Sequence, residues 1–263
     1  MAEVVLVTGG SSGIGRCTAL ALKNAGCTVY EMSRRAEGFP DVPHLQGDVT
    51  KAEDVDAVLA HILDEQGRLD VVVNAAGFGI SGAVAFTDTE DAKRQFEVNF
   101  FGMVTVNRAV LQIFHKQGSG RIVNISSVAA PIAIPFQTYY SASKAAIDAY
   151  TMALANEVRP YGITVCAVLP GDIKTGFTAA RKKSIEGDDV YGGRIARSVA
   201  VMEHDEQNGM KPEIAGRYIA KVARKKSKKP LYTIGFSYKL FVLLSKLLPA
   251  RLLNYLVGLI YAK

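Results

Sequence analysis

Two short patterns in this sequence set chemistry-bearing groups at telling distances. In Tyr140-Ser-Ala-Ser-Lys144 a phenol and an ammonium stand four residues apart, and on a helix positions i and i+4 share a face. A tyrosine that exchanges a proton near neutral pH must have its pKa drawn from about 10 toward 7, worth about 4 kcal/mol, and a neighbouring cation is the obvious source. In Thr8-Gly-Gly-Ser-Ser-Gly-Ile-Gly15, Gly9, Gly13 and Gly15 fall where an apolar run gives way to a helical pattern. A strand feeding a glycine turn and then a helix N-terminus aims backbone N–H groups and the positive end of the helix dipole at a phosphate. Each pattern alone has a plain structural reading, as a tight turn or as two helical residues sharing a face. Together they narrow the chemistry.

The elements that must position these groups alternate along the chain. Val4–Val7, Cys27–Met32, Asp70–Asn74, Arg121–Ser126, Ile163–Leu169 and Leu231–Gly235 read as strands, and Val71-Val72-Val73 is continuously apolar, as a strand covered on both faces should be. Helical patterns run from the glycine turn to Ala25, over about Glu90–Lys116 as one long helix, and over Tyr139–Val158. Another opens at Asp48-Val49-Thr50, where Thr50 and Glu53 have the spacing of a capping box. Strand-helix alternation without hairpin signals predicts an α/β fold, a doubly wound parallel sheet (Rossmann fold). With no repeat or low-complexity linker, residues 1–235 read as one domain, followed by an apolar helical extension over 236–263.

The chain has 263 residues, of which 49% are hydrophobic and 21% charged, which excludes intrinsic disorder. Cys17, Cys27 and Cys166 form no C-x-x-C pair, so neither a zinc site nor a disulfide framework is indicated and a reducing compartment is. Met1-Ala2-Glu3 leads straight into the first strand with no basic n-region, so no signal peptide and a cytoplasmic location are expected. The net charge of +6 is uneven: residues 1–220 hold 21 basic and 25 acidic side chains, and residues 221–263 hold ten basic and none acidic. A mildly acidic body argues against a nucleic-acid partner.

Taken in order, the glycine turn, Asn74-Ala-Ala-Gly77, Ser127 thirteen residues before Tyr140, and Tyr140-x-x-x-Lys144 resemble the classical short-chain dehydrogenase/reductase family, over residues 3–176. The resemblance implies that Ser127 holds the substrate oxygen, Tyr140 exchanges a proton with it, and Lys144 lowers the tyrosine pKa and holds the nicotinamide ribose. Asn99 matches the family's fourth catalytic residue, which supports a water chain to the lysine. The same likeness implies a cofactor site in which Gly9, Ser11, Ser12, Gly13, Ile14 and Gly15 line the pyrophosphate and Asp48 and Val49 meet the adenine. Asn74, Ala75 and Gly77 would then lie on the adenosine ribose side, and Pro170, Gly171, Ile173 and Thr175 at the carboxamide.

The choice of nicotinamide is argued at the end of the second strand. An NAD enzyme places an acid there for the ribose 2′-OH, whereas a small residue followed by Arg suits a 2′-phosphate. Here Ser33, Arg34 and Arg35 occupy that place, and guanidinium groups bind phosphate bidentately, so NADP(H) is expected. Glu31, two positions earlier, should lie below the ribose. Ser12 departs from the pattern, because the family's other phosphate-binding base falls there.

The substrate loop is expected over about residues 175–210. Phe136 and its apolar neighbours near the tetrad favour a hydrophobic steroid-, retinoid- or lipid-like ketone or alcohol. The tail, with Leu247-Leu248-Pro249 between two apolar stretches, resembles the hydroxysteroid and retinol dehydrogenase branch. Its longest uncharged run, Leu252–Ala262, is 11 residues, well short of the ~20 a spanning helix needs. Three roles remain for it: a lid, a subunit contact, or a surface lying on an anionic bilayer together with the basic stretch 221–229. The competing functions are a 3-oxoacyl thioester reductase, whose basic docking patch would be Arg181-Lys182-Lys183, and an NADP(H)-binding sensor on the same fold. A homodimer or homotetramer through the helices of 90–117 and 139–158 is implied by the resemblance.

Overall fold

The computed structural model describes residues 2–262. In chain order its strands are β1 (Val4–Thr8), β2 (Thr28–Ser33), β3 (His44–Gln46), β4 (Val71–Asn74), β5 (Ile80–Ser81), β6 (Gly120–Ile125), β7 (Ile163–Leu169), β8 (Lys182–Lys183) and β9 (Leu231–Thr233). The helices are α1 (Gly13–Asn24), α2 (Ala52–Gln66), α3 (Thr89–Phe96), α4 (Gly102–Gln117), α5 (Thr138–Glu157), α6 (Phe177–Ala180), α7 (Arg194–Gln207), α8 (Pro212–Ala223), α9 (Phe236–Leu247) and α10 (Ala250–Tyr261). Seven strands form one parallel sheet in the order β3-β2-β1-β4-β6-β7-β9.

Alternation along the buried strands feeds two apolar layers. Val5, Val7, Val71 and Val73 pack toward α1 and α8, while Leu6, Val72 and Ile122 pack toward α2, α4 and α5. A sheet covered on both faces requires such continuous apolar strands. The chain moves outward from β1 to β2 and β3, then restarts on the other side at β4. That reversal opens a crevice beyond the carboxyl ends of β1 and β4, the place where open α/β sheets bind ligands.

Two expectations are corrected. The long helix over Glu90–Lys116 is interrupted: α3 ends at Phe96, a π-helical turn occupies Glu97–Phe101, and α4 begins at Gly102. The capping box does not form, because α2 begins at Ala52 and the Thr50 N–H and hydroxyl both donate to Asp48 Oδ1, at 3.0 and 2.9 Å. An Asp two residues upstream satisfies Thr50 locally before Glu53 can.

The tail is held at two places. Arg224 Nε pairs with Glu3 Oε2 at 3.0 Å, and the Arg121 guanidinium donates to the carbonyls of Val222 and Ser227, at 3.0 and 2.9 Å. The basic stretch is thereby held at the amino-terminal edge of the strands. The helical extension starts from the other end of β9. The Tyr238 hydroxyl of α9 donates to Asp172 Oδ2 at 2.6 Å and accepts the Asp172 N–H at 3.1 Å, and its ring lies against bare Gly171. Tyr261 of α10 packs with Ile195, Val199 and Met202 of α7. The basic stretch and the apolar helices, which only the bilayer role would set on one surface, lie at opposite ends of β9. Among the described residues no helix is long and apolar enough to cross a membrane.

Candidate active site

The side chains with acid–base chemistry meet at the carboxyl ends of β4 and β6. Ser127 follows β6; its Oγ accepts the Ala129 N–H at 3.1 Å and is hydrogen-bonded to the Tyr140 phenol. Tyr140 lies in the first turn of α5, and Lys144, one turn later, donates from Nζ to the Ile125 carbonyl at 2.8 Å. Asn99 sits in the π-helical turn, where its amide grips the backbone of Phe78 on both sides, Nδ2 to O and N–H to Oδ1, each at 3.0 Å. Such turns insert one residue into a helix and re-aim side chains. A Cβ on Gly77 would stand 3.1 Å from Asn99 Oδ1 and 3.9 Å from Lys144 Nζ, so a bare backbone threads between the two. Asn99, Ser127, Tyr140 and Lys144 therefore converge from three elements.

The electrostatics differ from the expected lowering of the tyrosine pKa by the lysine. Burial pushes the Tyr140 phenol up to about 12, opposed by its hydrogen bond with Ser127. The Phe177 ring lies 5.7 Å from the tyrosine ring, centroid to centroid, and adds to that burial. Lys144, only 6% exposed, is itself pushed down to about 8 by burial, with Asp148 working the other way. Its Nζ is 5.6 Å from the tyrosine ring centroid and is committed to the Ile125 carbonyl. Burial is the largest influence on the phenol in this arrangement. A neutral phenol at pH 7 is the form that donates a proton.

The glycine turn fits a pyrophosphate. Gly9 and Gly13 have φ of +66° and +53°, and a Cβ at Gly9 would stand 2.6 Å from the Ala76 nitrogen, so neither the conformation nor the space admits a side chain. Ser12 precedes α1 without capping it, and the first turn holds no acid, which leaves the N–H groups and the helix dipole open to an anion. Thr175 comes within 3.7 Å of where a Gly13 Cβ would be, so the turn after β7 faces the turn after β1. At the end of β2 the Ser33 Oγ is buried without a hydrogen-bond partner, and among the described residues no carboxylate pairs with Arg34 or Arg35, both exposed. An orphaned hydroxyl beside two unpaired guanidinium groups is the donor set a 2′-phosphate needs. Glu31 is withdrawn from that place, fully buried beneath Gly10 and paired with His44 Nδ1.

The remaining predicted positions are placed as follows. The Asn74 amide points inward, donating to Asn107 Oδ1 at 2.7 Å and Asn124 Oδ1 at 3.0 Å, and ties β4 to β6 and α4. Ala75 hydrogen-bonds through its N–H to the Thr8 carbonyl, at 3.1 Å. Asp48 is engaged by Thr50, and Val49 is buried against bare Gly102. Ile173 is buried and bridges to Met210. Pro170 accepts the Val128 N–H at 2.9 Å, tying the turn after β7 to the segment that carries Ser127. Phe136, with φ of +57°, joins an apolar cluster with Tyr191, Ile195 and Val199 of the substrate loop.

The sequence reading placed Arg181 in a surface docking patch and gave no sign of its pairing with Glu206. They are 25 residues apart, and the Arg181 guanidinium, with no exposed surface, pairs through Nη2 with Glu206 Oε1. Only the folding of the substrate loop brings them together. Lys182 and Lys183 are also ion-paired, with Asp91 at 2.5 Å and with Glu203. A surface concavity of about 840 Å³ between Glu3, Ala25 and Arg224 lies at the opposite edge of the sheet and holds none of these groups.

Residues 3–186 match the short chain dehydrogenase family, and the chain belongs to it. It is 39% identical to a 3-ketodihydrosphingosine reductase of Bacteroides thetaiotaomicron over 264 residues, covering 99% of this chain and 98% of the relative. A crystal structure of a short-chain dehydrogenase from Streptomyces avermitilis superposes with a TM-score of 0.82 at 33% identity, covering 92% of this chain and 91% of that one. An actinorhodin polyketide ketoreductase variant with NADPH superposes with a TM-score of 0.75 at 26% identity, over 89% of this chain and 95% of that one. The protein is an oxidoreductase that acts between CH–OH and C=O with a nicotinamide cofactor.

Proposed function

We propose that this protein is an NADP(H)-dependent reductase of a long-chain, lipid-like ketone. The observation that carries the cofactor choice is the orphaned Ser33 hydroxyl beside Arg34 and Arg35, where no acid competes for a ribose hydroxyl. The bound nicotinamide supplies the hydride. The chain's own part is to hold the substrate oxygen with Ser127 and to deliver the phenolic proton of Tyr140 to that oxygen. Lys144 and Asn99 hold the site's backbone and charge in place. Reduction suits a phenol whose pKa is pushed up to about 12, because it keeps its proton until the oxygen becomes an alkoxide.

A lipid-like substrate is supported by the apolar cluster around Phe136 and by the extension over the substrate loop. In α9 the exposed apolar residues Phe236, Leu240, Leu243, Leu244 and Leu247 follow helical spacing, and in α10 Leu252, Tyr255, Leu256, Leu259 and Ile260 do the same. The charges on the two helices are Lys239, Lys246 and Arg251, all basic. A second copy docked face to face would oppose like charges with no acid between them, whereas an anionic bilayer complements both stripe and rim. The reading is therefore a cytoplasmic enzyme resting on a membrane surface through α9 and α10. Assembly into a homodimer or homotetramer is assigned to the α4–α5 side, where Phe101 and Met152 are exposed beside a groove of about 440 Å³.

Reduction of a carrier-bound 3-oxoacyl thioester is the second reading. The basic patch it would dock on, Arg181-Lys182-Lys183, is consumed by ion pairs with Glu206, Asp91 and Glu203. Nicotinamide consumption with long-chain 3-ketones against acetoacetyl thioesters, using NADPH and NADH in parallel, tests the proposal. Faster turnover of the thioesters, or a preference for NADH, would overturn it.

A further inference from the structure

The backbone that carries Arg34 and Arg35 is held by side chains of β3. Pairing between β2 and β3 ends where the Gly47 N–H donates to the Ser33 carbonyl, at 2.9 Å. Side chains take up the next two carbonyls. His44 Nε2 donates to the Arg35 carbonyl at 2.9 Å, and Gln46 Nε2 to the Arg34 carbonyl at 3.4 Å. His44 and Gln46 stand two residues apart on a strand and so point to one face, which they share with their register partners Glu31 and Ser33. The other ring nitrogen of His44, Nδ1, faces Glu31 Oε1. That carboxylate has no exposed surface, and its Oε2 is buried without a hydrogen-bond partner. A Cβ on Gly38 would stand 3.2 Å from Glu31 Oε1, and one on Gly10 would stand 3.2 Å from Glu31 Oε2. The buried acid therefore lies between the glycine turn and the loop that carries the two arginines.

A carboxylate so placed opposes any phosphate set beside it unless a cation offsets its charge. Among the described residues the one ion pair of Glu31 is with His44. An imidazole with an acceptor at each nitrogen is matched in full by its doubly protonated form, which also supplies the missing positive charge. We infer that His44 is a positioning residue for the choice of nicotinamide: it offsets the charge of Glu31 and clamps the Arg35 carbonyl, so that Arg34 and Arg35 are set around a 2′-phosphate. Gln46 adds a second, longer hold on the same segment. Both arginines are exposed, so the groups that His44 sets are open to a phosphate from solvent. The glycine turn serves both nicotinamides alike, whereas the clamp on Arg35 serves only the one that carries a 2′-phosphate. This rests on the NADP(H) reading above and deepens it.

Direct binding of NADPH and of NADH to the full chain, followed by cofactor fluorescence, tests this without a substrate. Wild type should bind NADPH more tightly than NADH. In His44→Ala the NADPH affinity should fall by about 10- to 100-fold and the NADH affinity by about threefold or less, because a charge beside the 2′-phosphate is left unopposed and the Arg35 carbonyl loses its donor. That variant strands a buried carboxylate, so the double variant Glu31→Gln with His44→Ala is measured beside it. The double variant removes the charge but still lacks the clamp, and its NADPH-to-NADH affinity ratio should stay about 3- to 10-fold below that of wild type. Equal weakening of both nicotinamides in a folded His44→Ala, or a wild-type ratio in the double variant, overturns the role of His44 and leaves the NADP(H) reading intact. Wild type that binds NADH as tightly as NADPH overturns that reading and the role of His44 with it.

Discussion

The crevice at β1 and β4 and the hairpin of α9 and α10 are opposite solutions to the same packing problem. Around the crevice the apolar side chains point inward, and Leu6, Val72 and Ile122 have no exposed surface. In α9 no residue is buried, and α10 buries Val257 alone. Both regions show helical or strand periodicity, so pattern alone does not reveal which side faces the protein. What distinguishes them is the anchor. The crevice is held by a sheet closed on both faces, whereas α9 is held to the turn after β7 by Tyr238 and Asp172, and its apolar stripe is left outward. An amphipathic helix pinned by its polar side presents its apolar side to something else.

The largest effect that would break this contrast belongs to the crevice. Tyr140→Phe should lower turnover by about 10³-fold or more while NADPH binding, followed by its fluorescence, is retained. Ser33→Asp should come next. It places an acid where a 2′-phosphate is expected and should move the NADPH-to-NADH ratio of kcat/KM toward NADH by about 10- to 100-fold.

The hairpin is tested more gently. Leu243→Asp with Leu256→Asp should reduce co-sedimentation with vesicles rich in anionic lipid several-fold and leave Tm nearly unchanged, because both side chains are exposed. If Tm falls sharply instead, the stripe is packed against protein in solution.

The smallest effect sharpens the account of Lys144. Its folded pKa of about 8 lies below the 10.5 of the unfolded chain, so between those values the unfolded state binds more protons. Stability should therefore rise from about pH 8 to pH 10, by up to about 3 kcal/mol, and Lys144→Met should flatten that rise in chemical denaturation.

How much of this was legible in the sequence follows the range of the interactions. The strand Ile163–Leu169 is read to the residue, because seven apolar positions between two turns leave little choice. The glycine turn and the Tyr140/Lys144 face are local patterns, and the sequence carries them in full. The π-helical turn at Glu97–Phe101 keeps a helical composition and has no local breaker, so it is invisible until Asn99 is seen holding Phe78. Thr50 was claimed by a nearer acid than the one its spacing suggested. Arg181 and Glu206 meet only because the substrate loop folds back. The raised Tyr140 pKa is likewise a consequence of burial in the folded site, which no spacing encodes.

The most direct measurement is NADPH oxidation by the full chain with a long-chain 3-ketone, run beside NADH and beside Tyr140→Phe. The account predicts turnover that prefers NADPH and disappears in the variant. Equal use of NADH, or turnover that survives without the Tyr140 hydroxyl, would contradict it.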